Sequence, residues 1–104
     1  SPVERALDHL RATSPRRTSV TSLAAMVGLS TSRLGALFRE HVGMSPMAYQ
    51  SGLRMGRARE LLDSTDLPVA SVASACGYDD PLYFSRRFTR DHGMAPSAYR
   101  GRRT

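Results

Sequence analysis

The segment Ser22-Leu-Ala-Ala-Met-Val-Gly28 is echoed forty-nine residues later by Ser71-Val-Ala-Ser-Ala-Cys-Gly77. After one inserted residue the offset becomes fifty. Leu34 and Phe38 answer to Phe84 and Phe88, and Gly43-Met-Ser-Pro-Met-Ala-Tyr49 answers to Gly93-Met-Ala-Pro-Ser-Ala-Tyr99. A solenoid needs about three repeats, so a unit present twice points to two copies of one supersecondary element.

Each copy reads as two short helices around a tight turn. Leu23, Met26 and Val27 recur at helical spacing and stop at Gly28, a residue suited to a left-handed C-terminal cap. Ser30 then caps a helix whose apolar stripe is Leu34, Leu37, Phe38 and His41. In the second copy Val69, Val72, Ala73 and Cys76 form the first stripe, Gly77 closes it, Asp79 or Asp80 caps, and Pro81 opens the next helix. No strand alternation occurs. The expected fold is all-α with seven helices, over 3–13, 20–27, 31–42, 46–62, 68–75, 81–91 and 96–100. It divides into a first helix-turn-helix subdomain (1–45), a linker helix (46–63) and a second helix-turn-helix subdomain (64–104).

A helix, a turn containing glycine and a second helix make the arrangement that presents its second helix to the DNA major groove. Charge agrees: fifteen basic residues against nine acidic ones give +6, and all fifteen are Arg. Arginine offers a planar fork that pairs bidentately with phosphate or with a guanine edge. The charge is spread over both halves, with Arg100, Arg102 and Arg103 crowding the C-terminus. At about 1.5 Å per residue the middle helix is a rod of roughly 25 Å, of the order of the 34 Å between successive major-groove faces. Gly52 and Gly56 within it suggest close helix contacts, and Arg54, Arg57 and Arg59 are either phosphate contacts or solvated or ion-paired with Glu60 or Asp63.

A helical wheel separates the reading face from the core. With Leu34 at zero and about 100° per residue, Ser32, Ala36 and Arg39 point away from the core, flanked by Gly35 and Arg33. The first unit therefore has little side-chain chemistry for bases and relies on Arg33 and Arg39 for phosphate. From Phe84 the same wheel turns Leu82, Arg86 and Thr89 outward, with Ser85, Tyr83 and Arg90 at the flanks. Arg86 can donate two parallel bonds to guanine O6 and N7, and Leu82 can pack on a thymine methyl. Arg87 leans inward, its stem buried and its head reaching for water or phosphate. Tyr83, Arg87 and Arg90 complete the candidate phosphate contacts, with helix N-termini near Ser22, Met47 and Val69 adding more.

Gly77-Tyr-Asp-Asp-Pro-Leu-Tyr-Phe-Ser-Arg-Arg-Phe88, followed by Gly93-Met-Ala-Pro-Ser-Ala-Tyr-Arg100, resembles the signature of the AraC/XylS family of transcription regulators. Ser30-Thr-Ser-Arg-Leu-Gly-Ala-Leu-Phe38 with Gly43-Met-Ser-Pro46 resembles its first helix-turn-helix, and Arg57-Ala-Arg-Glu-Leu-Leu62 its linker. The resemblance covers about residues 3–101. It implies two helix-turn-helix units bridged by a long helix, binding adjacent major grooves as a monomeric reader of asymmetric sites. The base-reading positions it implies are Ser32, Gly35 and Ala36 in the first unit and Pro81, Leu82, Ser85 and Arg86 in the second. Gly35 and Ala36 are smaller than is usual there, and Pro81 stands at a usually polar position.

The expected function is sequence-specific binding of double-stranded DNA for transcription regulation. RNA polymerase is a candidate partner, and a longer parent chain would supply an effector-binding or dimerising domain. The alternative is a basic helical protein-interaction module with no preference among duplexes. An enzyme is not expected, since no nucleophile and base share a catalytic spacing and no phosphate-binding glycine loop occurs. Cys76 sits on an apolar stripe and reads as core. His9, His41 and His92 are too far apart for a metal site, so neither metal nor cofactor is expected. The four tyrosines fall at helix packing positions, unlike an RNA-stacking platform. No apolar run suits a membrane, and the N-terminus lacks the layout of a signal peptide, so a cytoplasmic location is expected.

Overall fold

A computed structural model describes residues 1–102, and Arg103 lies outside the described residues. The chain runs α1(Pro2–Thr13), α2(Val20–Met26), α3(Thr31–Val42), α4(Pro46–Ser64), α5(Val69–Ala75), α6(Pro81–His92) and α7(Pro96–Arg100). All seven expected helices are present, with no strand among the described residues. Two compact units divide inside α4, the first being Ser1–Leu53 and the second beginning at Arg54. The first half of α4 closes one unit and its second half opens the other.

The first unit buries Val3, Ala6 and Leu10 of α1 against Leu23, Ala24, Val27, Leu34 and Phe38, with Tyr49 and Leu53 packed alongside. The second buries Met55, Ala58, Leu61 and Leu62 of α4 against Val72, Ala73, Cys76, Tyr78, Phe84 and Phe88, with Val69 and Tyr99 alongside. Tyr49 meets Phe38 edge-on at 5.8 Å, and Tyr99 meets Phe88 edge-on at 5.4 Å, a geometry favoured by the ring quadrupoles. The sequence repeat is thus a repeat of packing. From Thr31 to Val42 and from Pro81 to His92 the two helices bury and expose equivalent positions identically. His41 departs from expectation and is exposed. The buried stripe advances by fours through Leu34, Phe38 and half-buried Val42, which carries it past His41. Met44 and Met94, equivalent in the repeat, are also exposed. Cys76 is fully buried, and loss of solvation pushes its thiol up to about 11.

The turns follow from backbone chemistry. Leu29 N–H bonds Ala24 C=O at 3.0 Å and Gly28 N–H bonds Ala25 C=O at 3.2 Å, while Tyr78 and Gly77 repeat the pattern on Ala73 and Ser74. This is the Schellman closure, which requires a left-handed residue, and Gly28 (φ 75°) and Gly77 (φ 83°) supply it. The apolar residue that follows, Leu29 or Tyr78, then packs on its unit's core. Ser30 caps α3 by accepting from Arg33 N–H at 3.0 Å, and Asp80, not Asp79, caps α6 by accepting from Leu82 N–H at 2.9 Å.

An arginine takes a carbonyl that each closure leaves over. Arg5 Nη2 donates to Val27 C=O at 3.3 Å. Arg54 Nε donates to the equivalent Cys76 C=O at 3.0 Å and Nη2 donates to Gly77 C=O, with the guanidinium stacked 3.9 Å over the Tyr78 ring. Arg54, expected among the phosphate contacts, is only 5% exposed and turns two of its donors to carbonyls of the second unit, so the structure places it inside that unit and not on its surface. Arg59 donates to His92 Nε2 at 2.7 Å, with His92 stacked on Phe88. Arg57 is exposed and pairs with Glu60 at 3.2 Å.

Gly52 and Gly56 do not mark close helix contacts. A Cβ on Gly52 would meet nothing within 4 Å, and one on Gly56 would meet only the Arg59 guanidinium at 3.5 Å. Gly52→Ala should therefore raise the unfolding free energy by about 0.5–1 kcal/mol. Gly28→Ala, with equally open space but a left-handed backbone, should lower it by about 1–2 kcal/mol. Urea denaturation of the two variants reads both signs. The same measurement should show Arg54→Ala losing about 2–4 kcal/mol, because one buried and one half-buried carbonyl lose charged donors. Arg57→Ala should lose under about 0.5 kcal/mol, since its ion pair is exposed.

Candidate nucleic-acid interface

The second helix of each pair turns one side to its core and leaves the other open. In α6 Pro81 fits the first turn because that position has no helical partner for an N–H, and the Asp80 cap fixes where the turn begins. Leu82 stands on this turn 71% exposed, an apolar side chain with no place in the core. Arg86 is exposed one turn later, and Ser85 is half-buried beside it. Thr89 is not available in the same way, since its hydroxyl donates to Ser85 C=O at 2.8 Å. The structure therefore brings Pro81, Leu82, Ser85 and Arg86 onto one side of α6.

The flank of α6 is held by aromatic packing. Tyr83 lies 6.2 Å from Tyr78, and its hydroxyl accepts from Arg87 Nη1 at 3.0 Å. That bond raises the Arg87 pKa above its ordinary value. Arg87 is half-buried, as its place opposite Leu37 in the repeat requires. Arg90 is exposed and pairs with Asp91 at 3.6 Å.

In α3, Ser32, Arg33, Ala36 and Arg39 are exposed and Gly35 is half-buried. Arg39 does not extend straight outward. Its Nη1 lies 3.4 Å from the place a Cβ on Gly35 would occupy. Ser32, Gly35 and Arg39 share a groove of about 400 Å³ with Ser45 and Met47 at the start of α4. The Ser45 hydroxyl accepts from Ala48 N–H at 3.1 Å and caps that helix.

Sequence reasoning missed the roles of Arg5 and Arg54, although the signal was present. They stand forty-nine residues apart, the same offset as the turns whose carbonyls they hold. It also missed Arg11 and Arg102, which lie over the equivalent tyrosines, Arg11 at 5.9 Å from Tyr49 and Arg102 at 3.8 Å from Tyr99. Among the described residues no single helix is long and apolar enough to cross a membrane.

A sequence profile for the helix-turn-helix domain matches residues 23–102. The arabinose operon regulatory protein of Escherichia coli (strain K12) is 42% identical over 81 residues, covering 78% of this chain and 28% of that protein. The MmsAB operon regulatory protein of Pseudomonas aeruginosa is 40% identical over 95 residues, covering 91% of this chain and 30% of that protein. The chain thus spans under a third of the length of these relatives. Among solved structures, the C-terminal domain of AraT, a response regulator from Geobacillus stearothermophilus, superposes with a TM-score of 0.92 at 31% identity, covering 99% of this chain and 86% of that one. The DNA-binding domain of AdpA, a global transcriptional factor solved with a target DNA, gives 0.89 at 28% identity, covering 97% and 91%. The repeat, the two capped helix pairs and these matches together establish that the chain belongs to the AraC/XylS family of helix-turn-helix regulators.

Proposed function

We propose that this chain binds double-stranded DNA sequence-specifically for transcription regulation, with α3 and α6 as its recognition helices in adjacent major grooves. The observation that carries this reading is the identical burial of α3 and α6. Each leaves exposed the side of the helix that a major groove receives, and each begins at a capped N-terminus where base-facing residues belong. The solved relative AdpA, whose DNA-binding domain is held on its target, supports it.

In this reading Arg86 donates two parallel hydrogen bonds to a guanine edge and Leu82 packs on a thymine methyl. Pro81 and Ser85 shape the same contact, and Ser32, Gly35 and Ala36 face the bases in the first unit. Arg33, Arg57, Arg87, Arg90 and the Tyr83 hydroxyl serve the phosphates, which fix register without carrying sequence. Such a domain works in the cytoplasm, where bacterial DNA is. RNA polymerase is the expected protein partner, and an effector-binding or dimerising region is the expected remainder of a longer chain.

A salt titration tests the electrostatic part. With about six to ten phosphates neutralised, affinity for the preferred duplex should fall by about 10³–10⁵ between 50 and 200 mM salt. A flat titration, or equal binding to every duplex, would favour a basic protein-interaction module instead. Arg86→Ala should abolish preference at one base pair in the second half of the site while leaving the other positions unchanged. Equal weakening on all sequences would remove Arg86 from the reading set.

A further inference from the structure

The two recognition helices carry their outward arginines one turn apart. With equivalent positions separated by fifty, Ala36 answers to Arg86 and Arg39 to Thr89. In α6 the long donor stands at 86, and Thr89 is tied back to its own helix through Ser85 C=O. In α3 the side chain at 35 is absent and that at 36 is a single methyl, so of the outward positions in its first two turns only Ser32 offers a short donor beside them.

Arg39 fills that gap from below. Side chains on a helix lean toward its N-terminus, so a long residue at 39 covers the surface at 35. The Nη1 distance of 3.4 Å to the empty Cβ position of Gly35 places the guanidinium there, exposed and beside Ser32 in the same groove. An arginine bound only for a phosphate has no need of this slot. A bare Cβ at 35 would only touch the guanidinium, but a long side chain such as Leu would occupy the space that it fills.

On the reading that α3 lies in a major groove, we infer that Arg39 is the base-reading residue of the first unit. Its fork lies over Gly35 and donates to O6 and N7 of a guanine, and Gly35 sets specificity by having no side chain. Arg39 thus moves from the phosphate contacts of the sequence reading to the bases. The first unit reads one strong position by a residue one turn further along than in the second.

The test is selection of preferred duplexes from a random pool by the chain as it stands, by Arg39→Ala and Gly35→Leu, and by Arg86→Ala as a control in the other unit. Circular dichroism checks that helical content is retained. The unaltered chain should show two patches, the first dominated by one guanine preferred by about 5- to 150-fold over other bases. That preference should vanish in both Arg39→Ala and Gly35→Leu, while Arg86→Ala alters only the second patch. The inference is overturned if Arg39→Ala weakens all duplexes alike with the first patch intact, or if Gly35→Leu keeps the same guanine. If the unaltered chain prefers no duplex, the DNA-binding reading itself fails and takes this inference with it.

Discussion

Where α2 stops and α3 begins, the chain bends by 87° within four residues, and the carbonyls ending α2 lose their helical partners. Everything the domain presents outward depends on how that loss is made good. A glycine in left-handed conformation lets two amides fold back, an apolar residue after it packs on the core, and an arginine from an earlier helix takes a remaining carbonyl. The second unit solves the same problem with the same three parts, and Arg54 adds a second carbonyl and the Tyr78 ring. A recognition helix is useful only if its angle is fixed, and here charge-assisted hydrogen bonds on the turn itself support that angle.

Duplication explains why a chain this small has two cores. The first helix of unit one and the second half of α4 do equivalent work, each supplying an apolar stripe and an arginine to a turn. Pro46 to Tyr49 and Pro96 to Tyr99 close their units in the same way, with a tyrosine edge on Phe38 in one and on the equivalent Phe88 in the other. Because the scaffold is repeated so closely, the recognition helices are free to differ where they do not touch it. Ser32, Gly35, Ala36 and Arg39 stand against Leu82, Ser85, Arg86 and Thr89, two unlike surfaces on matched supports.

The elements were legible in the sequence because their signals are local. Helical periodicity, cap residues and turn glycines each depend on a few neighbours, which is why Ser30, Gly28, Gly77 and Pro81 could be placed before any coordinates. The outward faces were legible too, since a wheel needs only the core positions. What failed depended on partners far along the chain. Nothing within α4 says that Arg54 points at a turn 22 residues later while Arg57 stays on the surface. Gly52 and Gly56 illustrate the same limit: a glycine in a helix is consistent with a close contact, but only the surroundings show that none is made. The alignment of Arg5 with Arg54 at the repeat offset was the available clue, and it lay outside the segments where similarity is obvious.

Because every basic residue is arginine, charge alone cannot sort their roles, and the structure sorts them by what lies next to each fork. Arg5 and Arg54 face carbonyls, Arg11, Arg87 and Arg102 lie over tyrosine rings, and Arg59 bonds a histidine. Arg33, Arg39 and Arg86 stand on the outward sides of the recognition helices. Lysine could supply the same net charge, but its point charge and flexible stem would not serve two carbonyls and an aromatic face at once, as Arg54 does. The count of fifteen arginines therefore overstates the number of forks free to contact a duplex. Part of it is committed to holding the helices at the angle from which the remaining arginines can reach.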